Sequence, residues 1–118
     1  MILDTSFLID LMSGDEEAVR KAREIENELV QQRISSMALF ELYYGVVRAT
    51  ESESERETVE KVLASKPIYP ADTAVMRKAG RLSGELQNDG TPVGDGDVII
   101  GATAAVVEEP VLTRNVED

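Results

Sequence analysis

The sequence predicts a single α/β domain with a parallel β-sheet and helices on both faces. Short apolar segments alternate with longer segments in which apolar residues recur every three or four positions, and this alternation is typical of strands joined by crossover helices. The chain has 118 residues, a length that buries roughly two-thirds of the surface exposed by the unfolded chain. It therefore needs neither a disulfide nor a structural metal to fold.

The first half of the chain predicts two strands, each followed by helices. The first strand leads directly into Asp4, Thr5 and Ser6, which are residue types that cap helices. The predicted elements are a strand at 2–3, a short helix after it, an amphipathic helix at 15–32 with Val19, Ala22, Ile25 and Leu29 on its apolar face, a strand at 33–35, a helix at 38–49 that Ser35 and Ser36 can cap, and a glutamate-rich helix at 52–66.

The second half predicts two further strands and two helices. A strand at 68–69 follows Pro67, and an amphipathic helix at 71–88 ends at Asp89 and Gly90. A helix at 98–107, which the segment Asp95-Gly96-Asp97 opens, is apolar on every side, and this predicts that it is buried. The last strand is predicted at 110–113.

The composition excludes several kinds of active site. The chain contains no histidine and no cysteine, which rules out a Ser-His-Asp triad, a Cys-His pair and a zinc site with histidine ligands. Catalysis must therefore come from carboxylates, hydroxyls, amides, lysine or arginine. The sequence begins on an apolar strand instead of a basic segment with a signal core, and no apolar run has the length of a membrane span. We expect a cytoplasmic protein that does not enter a membrane.

The charge balance is strongly acidic, with a net charge of −11. Such a charge repels nucleic acid at long range, so on composition alone nucleic acid is an unfavourable partner, although a local site can overcome this. An acidic excess also keeps proteins soluble at very high ionic strength, where screening removes the repulsion. Arginine exceeds lysine by 8 to 4, which is compatible with a halophilic archaeon as the source.

Three acids occupy positions that favour a functional site. In an open parallel sheet, ligands bind beyond the carboxyl ends of the strands, and Asp4 follows the first strand there. Glu41 interrupts a largely apolar helix, and Asp97 begins the all-apolar helix. Each acid also has a structural interpretation. Asp4 can be a helix cap, Glu41 can face solvent between apolar stripes, and Asp97 can stabilise a helix N-terminus.

The last strand adds further oxygen ligands through Thr113, Asn115 and Asp118. Carboxylates that converge without a basic residue among them repel one another unless a hard divalent cation neutralises them. Mg²⁺ or Mn²⁺ suits such oxygen ligands, and either ion can activate water for phosphodiester hydrolysis without histidine.

Four segments carry a family resemblance. LDTS at 3–6, SSMALFEL at 35–42 with Gly45, DVIIGATA at 97–104 and VLTRN at 111–115 resemble the four motifs of the PIN domain, and within that family those of the VapC toxins of prokaryotic toxin-antitoxin pairs. The match covers essentially the whole chain, in the family's order and spacing. It is therefore much more specific than any one motif.

The resemblance implies a PIN-like three-layer fold, with a central parallel sheet of four or five short strands flanked by helices on both faces. It also implies a Mg²⁺-dependent endoribonuclease that cleaves RNA, with the metal held by Asp4 and Asp97 and the acidic site completed by Glu41. The partners it implies are a second copy of the chain and a VapB-type antitoxin, whose C-terminal segment lies across the toxin and blocks the site. Apolar helical surface that a small sheet cannot cover also favours a dimer, and it includes Leu39, Phe40, Tyr43, Val46 and Val47.

Three departures from the family pattern bear on the site. Many PIN domains have a fourth acid where this chain has Asn115, so either the amide oxygen serves or Asp118 replaces it. Asp95 adds an acid two residues before Asp97, and we interpret it as a cap or as a group that contacts the ligands. Relatives usually continue beyond Asp118 through an aromatic residue and a final strand, so the single domain at 1–118 is interpreted as truncated at its C-terminal end.

Three hydroxyl residues lie beside these acids. Thr5, Ser6 and Thr113 can bind a scissile phosphate or water, and capping and turn bonding are at least as compatible with each of them.

Other functions fit the residues less well. A haloacid-dehalogenase-type phosphatase needs a second Asp where this chain has Ser6, and a receiver domain needs a Lys where it has Arg114. A PIN nuclease of RNA processing without an antitoxin and a catalytically silent PIN-like binding module remain as alternatives. The intact set Asp4, Glu41 and Asp97 argues against the silent module.

We predict that added salt affects the stability and the RNA cleavage of this protein in the opposite direction from those of a basic nuclease. Unscreened repulsion among 11 excess negative charges opposes compaction, and salt also relieves the long-range repulsion of RNA. The melting temperature and the Mg²⁺-dependent cleavage rate should both rise, or at least hold, between low and molar KCl. A melting temperature independent of salt, combined with cleavage that collapses above about 0.2 M KCl, would contradict this prediction.

Overall fold

The computed structural model describes residues 1–114 and confirms the predicted alternation of strands and helices. The elements in chain order are β1 (Ile2–Leu3), α1 (Thr5–Met12), α2 (Glu16–Asn27), β2 (Arg33–Ser35), α3 (Ser36–Arg48), α4 (Ser52–Ala64), β3 (Ile68–Tyr69), α5 (Thr73–Asn88), α6 (Asp95–Val107) and β4 (Val111–Leu112).

All neighbouring strands in this part of the chain pair in parallel, in the order β3-β2-β1-β4. Leu3 of β1 lies opposite Ile34 of β2 and Leu112 of β4, and Ser35 of β2 lies opposite Tyr69 of β3. Because β1 has a neighbour on each side, both of its residues are fully buried. The carboxyl ends of the four strands share one edge of the sheet, which is called the carboxyl edge below.

The core consists of two clusters of buried residues, and α6 belongs to both. The larger cluster packs α1, α2, α3 and α4 onto β1 and β2, and it includes Ile100 and Ala104 of α6. The smaller cluster joins α5 to α6 through Val98 and Ala102. Since α6 packs on two sides, its apolar character all round has a direct structural cause. The prediction that this helix is buried is confirmed.

The Ser35 side chain fixes the junction between β2 and two helices. The Oγ atom of Ser35 accepts a hydrogen bond from the N–H group of Met37 at 3.2 Å, so Ser35 caps α3 as the sequence predicted. The same hydroxyl lies 3.2 Å from that of Thr103 in α6, and both side chains are fully buried. This polar contact fixes how α6 sits against β2.

Helix α2 is shorter than predicted, and the prediction for Leu29 was wrong. The helix ends at Asn27, and Leu29 is 91% exposed instead of lying on the apolar face. Leu29 has a positive φ of 60°, so its N–H group bonds to the Glu26 carbonyl and that of Val30 bonds to the Ile25 carbonyl. This is a Schellman ending, with leucine in the place that glycine usually takes.

None of the helices within residues 1–114 combines the length and apolar character needed to cross a lipid bilayer.

Candidate functional site

Asp4 lies at the carboxyl edge, where β1 passes into α1. Its backbone N–H group bonds to the Leu112 carbonyl at 2.9 Å, so the main chain is still part of the sheet. The Oδ1 atom accepts from the N–H group of Thr5 at 2.8 Å and caps α1. The Oδ2 atom accepts from the hydroxyls of Ser6 at 2.9 Å and Thr113 at 2.7 Å. The carboxylate is therefore oriented by three donors, two from α1 and one from the residue that follows β4.

Glu41 reaches from α3 to the same edge of the sheet. Its side chain is half-buried, and Oε1 accepts from the Thr5 hydroxyl at 2.7 Å. A Cβ atom at Gly96 would lie 2.8 Å from Oε2 of Glu41, so the carboxylate also approaches the first turn of α6 closely. The Glu41 carboxylate thus lies between the N-terminal turns of α1 and α6.

Asp95 and Asp97 occupy the first turn of α6, on either side of Gly96, and both are exposed. The unpaired N–H groups of a helix N-terminus stabilise carboxylates there. The close approach of Glu41 to Gly96 places this turn beside the α1 turn that carries Asp4.

The hydroxyls of Thr5, Ser6 and Thr113 bond to carboxylates. Thr5 donates to Glu41, and the other two donate to Asp4. In the structure these hydroxyls donate to the acids, and a role in binding phosphate or water stays a prediction. Predicted contributions from Asn115 and Asp118 lie outside the described residues.

Sequence reasoning missed two features of the site. The first is Gly96, whose lack of a side chain makes room for Glu41; a glycine between two acids at a helix start was the available signal. The second is an ion pair between Asp10 on α1 and Arg114 after β4. Hydrogen bonds and charge attraction from Asp10 raise the pKa of Arg114 above its ordinary value, and Asp15 and Asp4 add to the attraction.

The donor set at the carboxyl edge fits a hard divalent cation. In the described part of the chain, no lysine or arginine forms an ion pair with Asp4, Glu41, Asp95 or Asp97. The available donors are carboxylate and hydroxyl oxygens, which Mg²⁺ and Mn²⁺ prefer. Within residues 1–114, no three acidic side chains are grouped closely enough to enclose one ion. A cation at this edge would complete its coordination with water.

Comparisons with known proteins identify relatives over nearly the whole chain. The family model for the PIN domain matches residues 1–117. A tRNA(fMet)-specific endonuclease VapC from Salmonella typhimurium is 28% identical over 117 residues, which are 99% of this chain and 87% of the relative. A ribonuclease VapC19 from Mycobacterium tuberculosis is 29% identical over 115 residues, 98% of this chain and 88% of the relative.

Solved structures agree with the fold. A DNA-bound VapBC complex from Salmonella typhimurium matches with a TM-score of 0.84 at 28% identity, covering 95% of this chain and 83% of that chain. VapBC2 from Rickettsia felis, bound to promoter DNA, matches with a TM-score of 0.88 at 22% identity, covering 97% of this chain and 86% of that chain. The second match is evidence for the fold alone. The predicted PIN-like α/β fold is confirmed.

We predict that Gly96→Ala displaces the Glu41 carboxylate without unfolding the protein. The added Cβ atom would lie 2.8 Å from Oε2, and the flexible end of a glutamate can rotate away from it. A crystal structure of the variant should show the bond between Glu41 and Thr5 broken. Gly101→Ala is the matched control on the same helix, because nothing lies within 4 Å of its added Cβ. An unmoved Glu41 carboxylate in the Gly96→Ala variant would contradict the prediction.

Proposed function

This chain belongs to the PIN domain family, and from that membership we propose that it is a Mg²⁺-dependent endoribonuclease and the toxin of a toxin-antitoxin pair. The observation that carries the proposal is the Glu41 carboxylate between the turns that hold Asp4 and Asp97. The names of the relatives support it, since they are a tRNA(fMet)-specific endonuclease and a ribonuclease. The whole chain would then act as one domain.

The metal assignment follows the chemistry of the donors. Asp4 and Asp97 would hold Mg²⁺, for which Mn²⁺ can substitute, and the ion would supply positive charge at the phosphate and lower the pKa of its bound water. Asn115 or Asp118 would add an oxygen ligand, and Asp95 would support the ligands. Thr5, Ser6 and Thr113 keep the acids in place by the hydrogen bonds described above.

Glu41 is the group best placed to move a proton. In phosphodiester hydrolysis a base takes a proton from the attacking water, and the same group can return that proton to the leaving oxygen as the P–O bond breaks. The Oε1 atom is held by Thr5, which orients the carboxylate and leaves Oε2 toward α6 as the oxygen that accepts the proton. The Glu41 side chain is half-buried. Because the dielectric constant is lower there than in water, its attraction to a bound cation would be stronger.

An antitoxin segment would bind in the groove between α1 and α3. This groove has a volume of about 400 Å³, and its lining combines apolar and site residues: Thr5, Ile9, Met37, Phe40, Glu41 and Tyr44. An apolar side chain that fills it would place a neighbouring basic residue against Glu41, where positive charge is favoured. The VapBC complex from Salmonella typhimurium supports a partner of the VapB type.

The outer face of α3 would form a homodimer contact. Val47 is 80% exposed and would be its centre. Phe40 and Tyr44, which are 63% and 60% exposed and also line the groove, lie at its border. Val46, which the sequence placed on the same surface, is buried in the core. The dimer contact therefore excludes Val46.

We predict that Asp4→Asn abolishes Mg²⁺-dependent RNA cleavage while preserving the fold. Loss of a group that merely supports a metal ligand lowers activity about 10- to 100-fold, so loss of the ligand itself should lower it by about 100-fold or more. Asparagine caps helices as well as aspartate does, so the melting temperature should change little. Purified protein incubated with total RNA, with and without Mg²⁺, provides the measurement.

Asp72→Asn is the matched control for this experiment, because Asp72 also caps a helix through its carboxylate. Cleavage by the Asp72 variant should equal that of the unsubstituted chain. Equal cleavage by the Asp4→Asn variant would refute the site.

We predict that Val47→Glu shifts the equilibrium from dimer toward monomer. A glutamate placed in an apolar contact loses its hydration, and this should weaken association by about tenfold or more. Light scattering on the variant and the unsubstituted chain, at the same protein concentration and in high salt, measures the change in molar mass. Leu29→Glu is the control, since Leu29 is 91% exposed and lies on another helix end. If the unsubstituted chain is monomeric at high concentration, the dimer proposal is wrong.

A further inference from the structure

We propose that the ion pair between Asp10 and Arg114 is a clamp that positions the Thr113 hydroxyl against Asp4. This inference rests on the proposed function, because it makes Asp10 and Arg114 positioning residues for the carboxylate that would hold the metal. The pair joins α1 to the segment after β4, two parts of the chain that are 104 residues apart in sequence.

The ion pair has the geometry of a rigid fork. Nε of Arg114 donates to Oδ2 of Asp10 at 2.9 Å, and a terminal nitrogen of the guanidinium donates to Oδ1, also at 2.9 Å. Two parallel bonds fix the orientation of the guanidinium as well as its distance from the Asp10 carboxylate. The backbone N–H group of Arg114 adds a bond to the Ser6 hydroxyl at 3.2 Å. Arg114 is therefore attached to α1 both through its side chain and through its backbone.

Thr113 directly precedes Arg114, and it contacts Asp4, which caps the helix that carries Asp10. Its hydroxyl donates to Oδ2 of Asp4 at 2.7 Å, and the Ser6 hydroxyl donates to the same oxygen. With both protons directed to Asp4, none remains between the two hydroxyls, which lie 3.2 Å apart. The place of Thr113 thus depends on its backbone, which is held on one side by the bond between Leu112 and Asp4 and on the other side by Arg114.

The pair adds local order more than overall stability. The Arg114 side chain is 47% exposed and that of Asp10 is 24% exposed, and exposed ion pairs contribute little to the free energy of unfolding. Asp4 caps α1 and Asp10 lies within the same helix, so the clamp and the carboxylate belong to one rigid element. Loosening the clamp should free Thr113 from Asp4 while the rest of the fold stays intact.

Arg114→Lys tests the clamp, because lysine keeps the positive charge and loses the fork. We expect the variant to bind Mn²⁺ about 3- to 10-fold more weakly, which corresponds to the loss of one well-placed hydrogen bond. Electron paramagnetic resonance of free Mn²⁺ measures this binding without any RNA. In cleavage assays kcat should fall while KM for RNA stays within about twofold.

A double-substitution cycle separates positioning from general stabilisation. In a Thr113→Val background the hydroxyl is absent, so Arg114→Lys should weaken Mn²⁺ binding by less than about twofold further. Arg56→Lys is the matched control, since Arg56 forms two 2.8 Å contacts with carboxylates on α4. It should leave Mn²⁺ binding and kcat unchanged.

The outcomes separate the clamp from the proposed function. Unchanged Mn²⁺ binding in the Arg114→Lys variant would overturn the clamp, and so would an equal loss of binding in both backgrounds. Failure of the unsubstituted chain both to bind Mn²⁺ and to cleave RNA would overturn the proposed function and the clamp with it.

Discussion

The pairing of β1 with a strand on each side is the constraint on which the site depends. The hydrogen bond from the Asp4 N–H group to Leu112 extends this pairing one residue past the strand, so the sheet itself determines where the carboxylate begins. The register that sets Leu3 opposite Leu112 also brings Thr113 beside Asp4. A slip of one residue in β4 would move the Thr113 hydroxyl by roughly 3.3 Å, which is enough to break its bond.

Three acids of the site, Asp4, Asp95 and Asp97, lie at helix N-termini, where the unpaired backbone N–H groups stabilise negative charge. Asp4 caps α1, and Asp95 and Asp97 lie in the first turn of α6, so each benefits from the positive end of a helix dipole. Short hydroxyl bonds supply the remaining donors to Asp4 and Glu41. Neither arrangement neutralises the charge. These acids therefore remain available to a cation, in a chain that carries a net charge of −11.

The sequence was informative about elements and less so about contacts between them. All four described strands were predicted, and Ser35 was identified as a cap, because strand alternation and capping are local properties. The periodic pattern extended α2 through Leu29 because it records which residues are apolar and contains no information about backbone angles. Asp4 and Asp97 were singled out by their positions at a strand end and a helix start, and Glu41 by its charge within an apolar helix. The contacts that bring Glu41 to the first turns of α1 and α6 are set by the packing of the helices. The contacts of Gly96 and Arg114 depend on residues 55 and 104 positions away, and no local pattern specifies such contacts.

The ending of α2 makes the fold less stable than another residue at position 29 would allow. Leu29 holds a left-handed conformation that costs a residue with a side chain about 1–2 kcal/mol, against a total stability of roughly 5–15 kcal/mol for a typical domain. Its side chain is almost wholly exposed, so little packing compensates for the strain. Glycine or asparagine at this position would relieve the strain at a point remote in sequence from every acid of the carboxyl edge. The protein could thus be engineered for heat resistance by changing one residue that makes no contact with the hydrogen-bonded acids of the site.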